Sequence, residues 1–264
     1  MKQSGKSNYE IRAVQRALSL LQSFGYEERE LGISELARRL DLNKSTVYRL
    51  LTNLQKVKFV EQDPQTGKYR LGIGLFEMGS RVLHHMDLHR VSRPYLEELS
   101  RVTRQTVHLV VPDGREAVYV EKVEHHGGFL PQYSRLGKRA PLHCTAVGKV
   151  LLAGLNDSEV ERFIREKGLR SYTRRTITSP GALMKEIQAV RDRGYAVDNE
   201  EIQDGLMCVA APVFNYNGET AAAVSISGMA IHFTSETLPG YIEWVKDAAR
   251  RISTELGYRV ATQV

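Results

Sequence analysis

The chain has 264 residues, 42% hydrophobic and 26% charged, with a formal net charge of +6 and two cysteines. Such a composition fits one or two folded domains and excludes a disordered chain or a disulfide scaffold. No run of about 18 uncharged apolar residues occurs, and the opening MKQSGKSNYEIRAV lacks an apolar signal core, so a cytoplasmic protein without a membrane partner is expected.

The charge is uneven along the chain. Residues 1–72 carry 13 Lys/Arg against 8 Asp/Glu, while the remaining 192 residues carry 24 against 23. A basic head on a neutral body points to a polyanionic partner for the head, although the same excess can be a solvated surface.

Residues 1–8 are expected to be a flexible tail. Three helices follow, each marked by apolar residues at i, i+3, i+4 and i+7: Val14, Ala17, Leu18 and Leu21; Ile33, Leu36, Ala37 and Leu40; Val47, Leu50, Leu51 and Leu54. Ser34 reads as the cap of the second helix. Asn43 or Lys44 opens the third, with Ser45 as the alternative cap. Only Asp41–Asn43 separates these two helices, which forces a large angle between them, the geometry of a helix-turn-helix. Residues 59–62 and 68–71 read as strands joined by a Pro64/Gly67 turn, making residues 9–72 a winged helix-turn-helix. The third helix buries its apolar face, so Asn43, Lys44, Ser45, Thr46, Tyr48 and Arg49 are free to meet a major groove. Ser34 and, on the wing, Thr66, Lys68 and Arg70 complete the candidate contacts to double-stranded DNA. Taken singly, Ser45 and Thr46 can equally be caps, and Arg49 a solvated charge.

Residues 73–88 read as a linker helix apolar on several sides, suited to self-association. His84, His85 and His89 have no carboxylate or cysteine in their pattern, so no metal or other cofactor is expected. Residues 90–104 form a further helix, with Pro94 in its first turn. Strands follow at 107–111 and 117–123, and another across 128–135. Helices are expected at 145–155, 157–168 and 179–194, the last with Ser179 as cap and Pro180 just inside. Strands return at 195–198, 206–214 and 220–228, and a helix over 235–257 closes the chain. The fold class is therefore α+β: a winged helix-turn-helix over 9–72, a linker helix over 73–89, and an α/β domain with an antiparallel sheet over 90–264.

No phosphate loop, GxSxG or HExxH motif occurs, and the carboxylates at 198, 200 and 201 lack a histidine partner in sequence, so no enzyme is expected. A binding pocket fits better. The helix entered through HCTAVG (143–148) leaves amides free for a carboxylate. Cys208 lies mid-sheet, and Ser225 and Ser227 share one strand face. Each has a plainer reading, as a small buried thiol or as core hydroxyls.

The stretches GISELARRLDLNKSTVYRLLTNL, GKYRLG, APLHCTAVGKVLLA, RGYAVDNEEIQDGLMCVAAPVF and AAVSISG together resemble the IclR family of bacterial transcription regulators, from about Ile11 to Leu256. YSRLGKRAPLHCTAVGKVLLA and DNEEIQDGL resemble its KdgR-like branch, whose regulators govern keto-deoxy-gluconate and pectin breakdown. The resemblance implies a GAF-like effector domain, a small acidic effector such as a sugar acid, and a dimer or dimer of dimers on a palindromic operator. It places the ligand carboxylate on the amides of Ala146 and Val147, and it adds Asp198, Cys208, Ser225 and Ser227 to the site. Met207 stands where many relatives carry arginine. A repressor is the expected role. Its alternatives are an enzyme or metabolite binder with an accessory DNA-binding head, or an architectural DNA binder.

Overall fold

The computed structural model describes residues 11–25, 28–84, 87–125 and 134–259. The expected tail at 1–8, His85 and most of the strand expected across 128–135 lie outside them. The chain divides into two compact units, residues 1–85 and 86–264.

In the first unit α1 (Arg12–Gln22), α2 (Ile33–Leu40) and α3 (Lys44–Lys56) are followed by a hairpin of β1 (Val60–Gln62) and β2 (Tyr69–Leu71). The strands pair antiparallel, with Glu61 opposite Arg70. Asp41 closes α2 at a φ of 52°, the left-handed cap that turns the chain sharply into α3. The wing is tied to the helices by Leu31, which exchanges two 2.9 Å backbone hydrogen bonds with Tyr69. Leu20, Leu36, Val47, Leu51, Val60 and Tyr69 form the small core.

Three readings of this unit are corrected. Val14 and Leu18 of α1 are 52% and 54% exposed, and the core takes Leu20 and Phe24 instead. The helix carries two apolar stripes, and spacing alone does not tell which one is buried. Ser34 lies inside α2; the cap position is Gly32, because the chain turns into the helix straight from the bridge at Leu31. Ser45, the alternative cap of α3, lies inside that helix; Asn43 holds the cap position, its Oδ1 accepting from Thr46 Oγ1 at 2.7 Å rather than from a helix amide. After the wing, α4 (Ile73–His84) begins against the turn that ends α3. A Cβ at Gly74 would lie 2.5 Å from the Val57 carbonyl oxygen, so only glycine permits that approach.

The second unit has a six-stranded antiparallel sheet in the order β5-β4-β3-β8-β7-β6. Its strands are β3 (Thr106–Asp113), β4 (Glu116–Val123), β5 (Arg139–Ala140), β6 (Ala196–Asn199), β7 (Leu206–Phe214) and β8 (Thr220–Met229). Side chains alternate between the two faces of each strand. One face packs Val107, Leu109, Val209, Val224 and Ile226 with residues of α5 (Asp87–Thr103) and α9 (Leu238–Glu255). The other packs Val110, Ala117, Ala210 and Ala223 with residues of α6 (Ala146–Ala153), α7 (Asp157–Lys167) and α8 (Pro180–Arg193).

A bulge in β4 pairs Leu109 with Glu121 but Val110 with Tyr119, leaving Val120 as the extra residue. Tyr119 and Glu121, two apart, therefore face opposite sides of the sheet. Glu121 is buried on the α5 side, where Arg93 at 3.1 Å and His89 at 2.8 Å hold its carboxylate.

Here too the structure departs from expectation. Pro94 sits well inside α5 rather than in its first turn. It cannot donate to the Arg90 carbonyl, a loss that costs about 3 kcal/mol in an unsupported helix. Burial of Leu96 and Leu99 against the sheet, each contributing about 2 kcal/mol, offsets it. Residues 134 and 135 form no strand; β5 comes later and is only two residues long. Ser179 stands at the α8 cap position without a side-chain cap bond. The last helix starts at Leu238, after a turn in which Thr237 Oγ1 accepts from the Thr234 amide.

Candidate functional site

Two places carry the candidate residues. In the first unit the leading turn of α3 presents Lys44, Ser45, Tyr48 and Arg49 to solvent, with Thr46 half-buried behind Asn43. Thr52 and Asn53 donate to the Tyr48 and Arg49 carbonyls, so the next turn spends its polar groups on the helix itself. Ser34, Thr66 and Lys68 are exposed. The wing tip is shaped by Asp63, whose carboxylate accepts from the Gln65 and Thr66 amides; those bonds hold it below the usual carboxylate range. Arg70, on β2, pairs with Glu61 at 3.3 Å and Glu30 at 3.8 Å. These are half-exposed pairs, worth well under about 1 kcal/mol.

In the second unit, the sheet face under α6 holds a cavity of about 210 Å³. That is smaller than the roughly 300–1,000 Å³ of sites for drug-sized ligands, and it suits a small metabolite. All six expected residues line it: Ala146, Val147, Asp198, Cys208, Ser225 and Ser227. Strand order explains how. Asp198 of β6 pairs with Cys208 of β7, and Cys208 with Ser227 of β8, so the three stand in one row across the sheet. The neighbouring row runs from Ser225 to His108 of β3.

The opposite wall is the start of α6. Thr145 caps it, with Oγ1 accepting from the Gly148 amide at 3.1 Å and donating to the Pro141 carbonyl at 2.7 Å. The amides of Ala146 and Val147 fall outside the helix's own hydrogen-bond ladder, at its positive end. Gly148 lets this helix start lie against the preceding segment: a Cβ there would meet the Leu142 backbone at 2.4 Å.

Asp198 is wholly buried. Its Oδ1 accepts from the Glu201 amide at 2.7 Å, and its Oδ2 has no partner among the described residues. Burial pushes its pKa up to about 7, against the pull of that amide bond. Lys149 of α6, also buried, reaches Glu201 at 2.5 Å and so ties the helix to the loop after β6. Glu200 holds that loop in a left-handed turn at a φ of 61°, its carboxylate accepting from the Gly205 amide. Burial raises the pKa of both thiols, Cys144 and Cys208, which keeps them protonated and unreactive.

Several lining residues went unread in the sequence, among them His108, Tyr119, Lys138, Arg139, Tyr172 and Ile202. A signal for His108 did exist: a histidine inside the apolar run VHLVV, on the same face as Val110. Among the described residues no cluster of three or more His, Cys, Asp or Glu could hold a metal, and no helix is long and apolar enough to cross a membrane.

Two family models match the chain: "IclR helix-turn-helix domain" over residues 13–64 and "Bacterial transcriptional regulator IclR C-terminal" over residues 80–254. The HTH-type transcriptional regulator KdgR of Escherichia coli is 42% identical over 94% of each chain. The crystal structure of the Thermotoga maritima IclR is 36% identical with a TM-score of 0.80, covering 94% of this chain and all of that one. An IclR homologue from Microbacterium hydrocarbonoxydans, solved with 4-hydroxybenzoate, is 25% identical with a TM-score of 0.83, over 92% of this chain and 98% of that one.

Proposed function

Because this chain belongs to the IclR family of bacterial transcription regulators, in its KdgR-like branch, we propose that it is a repressor whose hold on operator DNA is controlled by a small organic or sugar acid, such as a keto-deoxy sugar acid. The α3 turn with Asn43, Lys44, Ser45, Thr46, Tyr48 and Arg49 enters the major groove, and Ser34, Thr66, Lys68 and Arg70 meet the flanking backbone. Two copies act together. The exposed apolar side chains of Ile11 before α1, Val14 and Leu18 on it, and Ile73, Phe76 and Val82 on α4 support self-association.

The observation that carries the effector reading is the cavity itself, lined by the start of α6 and by Asp198, whose buried Oδ2 has no partner among the described residues. The acid's carboxylate sits on the Ala146 and Val147 amides, with Asp198, Cys208, Ser225 and Ser227 around its body. That a homologue of this fold was solved with 4-hydroxybenzoate, also a small acid, supports the class. The effector acts by binding the operator-competent and operator-free arrangements unequally.

A thermal-shift screen of organic and sugar acids tests this. A true effector at a hundredfold its Kd adds about 2.7 kcal/mol of stability and changes retention of a promoter fragment in a gel shift. Turnover of a substrate without preference for any promoter fragment would favour the enzyme reading and overturn this one.

A further inference from the structure

We propose that His108 is a specificity-determining residue of the effector cavity: Ser225 and Ser227 hold its ring with the proton on Nε2, and Nε2–H donates to an uncharged oxygen, a hydroxyl or keto group, of the bound acid. The inference rests on the reading of this cavity as the effector site.

His108 is 1% exposed, lines the cavity and stands directly opposite Ser225 in the β3–β8 register. The hydroxyls of Ser225 and Ser227 both lie 3.4 Å from Nδ1. A neutral imidazole offers one donor and one acceptor nitrogen. Both serine hydroxyls are able to donate to Nδ1, and in the arrangement proposed they do, which leaves the proton on Nε2. That nitrogen is buried and has no partner among the described residues. A buried donor left unpaired is unfavourable, and a ligand oxygen would relieve it.

The ring is uncharged. Burial, with Lys122 adding to it, lowers its pKa to about 3. His108 therefore does not compete for the carboxylate, which the α6 amides take. Tyr119, edge-on at 5.2 Å between centroids, fixes the ring's tilt. Asp198 Oδ2 is the second buried, unpaired polar atom among the cavity's described lining residues. One donor at His108 and one carboxyl at Asp198 match an acid carrying hydroxyl groups better than a bare aliphatic acid. On this reading Ser225 and Ser227, besides lining the cavity, also position the His108 ring.

Calorimetric titration of the full-length protein with keto-deoxygluconate and with hexanoate tests the assignment. The wild type should favour the hydroxylated acid. His108→Phe, which keeps a ring against Tyr119 but removes the donor, should lose roughly tenfold or more of that affinity. Its hexanoate affinity should not fall in parallel, since that acid has no oxygen for the lost donor. Equal losses for both acids would reduce His108 to packing, and an unchanged affinity for keto-deoxygluconate would remove it from the site. A wild type without preference between the acids overturns the His108 assignment alone. A wild type that binds neither overturns the acid-effector reading and the assignment with it. Should the variant not fold, ¹⁵N spectra of the wild-type imidazole decide. An Nε2-protonated ring that shifts with keto-deoxygluconate and not with hexanoate supports the assignment, and an Nδ1-protonated ring refutes it. In the double variant Ser225→Ala/Ser227→Ala the single tautomer should give way to a mixture.

Discussion

Asp198→Asn exchanges a buried carboxyl for an uncharged group of the same shape, and the Asn oxygen can still accept from the Glu201 amide. Burial has raised the Asp198 pKa from 3.8 to about 7. The folded chain thus holds this proton more tightly than the unfolded chain. The wild type carries no penalty from Asp198 below about pH 4, loses stability as pH rises to about 7, and levels off above that. The displacement corresponds to about 4 kcal/mol at pH 8, of which about 2–3 kcal/mol develops between pH 5 and pH 8. Asn carries no such penalty. In ligand-free protein, followed by scanning calorimetry on the second unit's transition, the variant's advantage in melting temperature should widen by about 5–10 °C across that range. A gap that does not change with pH, or a variant less stable than the wild type at pH 8, would refute the idea that Asp198 is destabilised by its burial.

Lys149→Met strands Glu201 in the interior without its 2.5 Å partner and should cost about 3–5 kcal/mol by urea denaturation, with Glu201→Leu added to it recovering part of the loss. Gly148→Ala drives a methyl into the Leu142 backbone; it should cost about 1–3 kcal/mol and blunt the response to effector while operator binding without effector survives in a gel shift. Arg49→Ala should weaken operator binding at fixed salt. In the wild type, log affinity should fall against log salt with a slope near −0.9 per phosphate contacted, and a flat line would contradict the basic-head argument.

The helix-turn-helix was legible because its information is local. Spacing of Leu36, Ala37, Val47 and Leu51 marks two helices, and three residues between them set the angle. The wing followed from Pro64 and Gly67. The α1 face was not legible, because Leu18 and Leu20 are both apolar and only tertiary packing selects between them. In the cavity, the α6 entry and the β8 serines could be found from helix-end and period-two rules. His108 left only a local cue, a histidine in an apolar run, and Tyr119 none, because their place depends on β3 lying between β4 and β8, a pairing across more than a hundred residues. Pro94 misled for a related reason: a proline suggests a helix start, yet long-range burial of Leu96 and Leu99 carries the helix through it.

The extra residue in β4 has a consequence for comparing this chain with its relatives. Val120 is what sends Tyr119 toward the cavity and Glu121 toward the Arg93 and His89 clamp. Deleting it would restore regular pairing, with Leu109 still opposite Glu121 and Val110 still opposite Tyr119, so each side chain would keep its face and only the local kink would go. A relative with a one-residue gap here therefore keeps the same furnishing of the chamber, whereas one that holds the residue but pairs it in register with Val110 would put its counterparts of Tyr119 and Glu121 on one face.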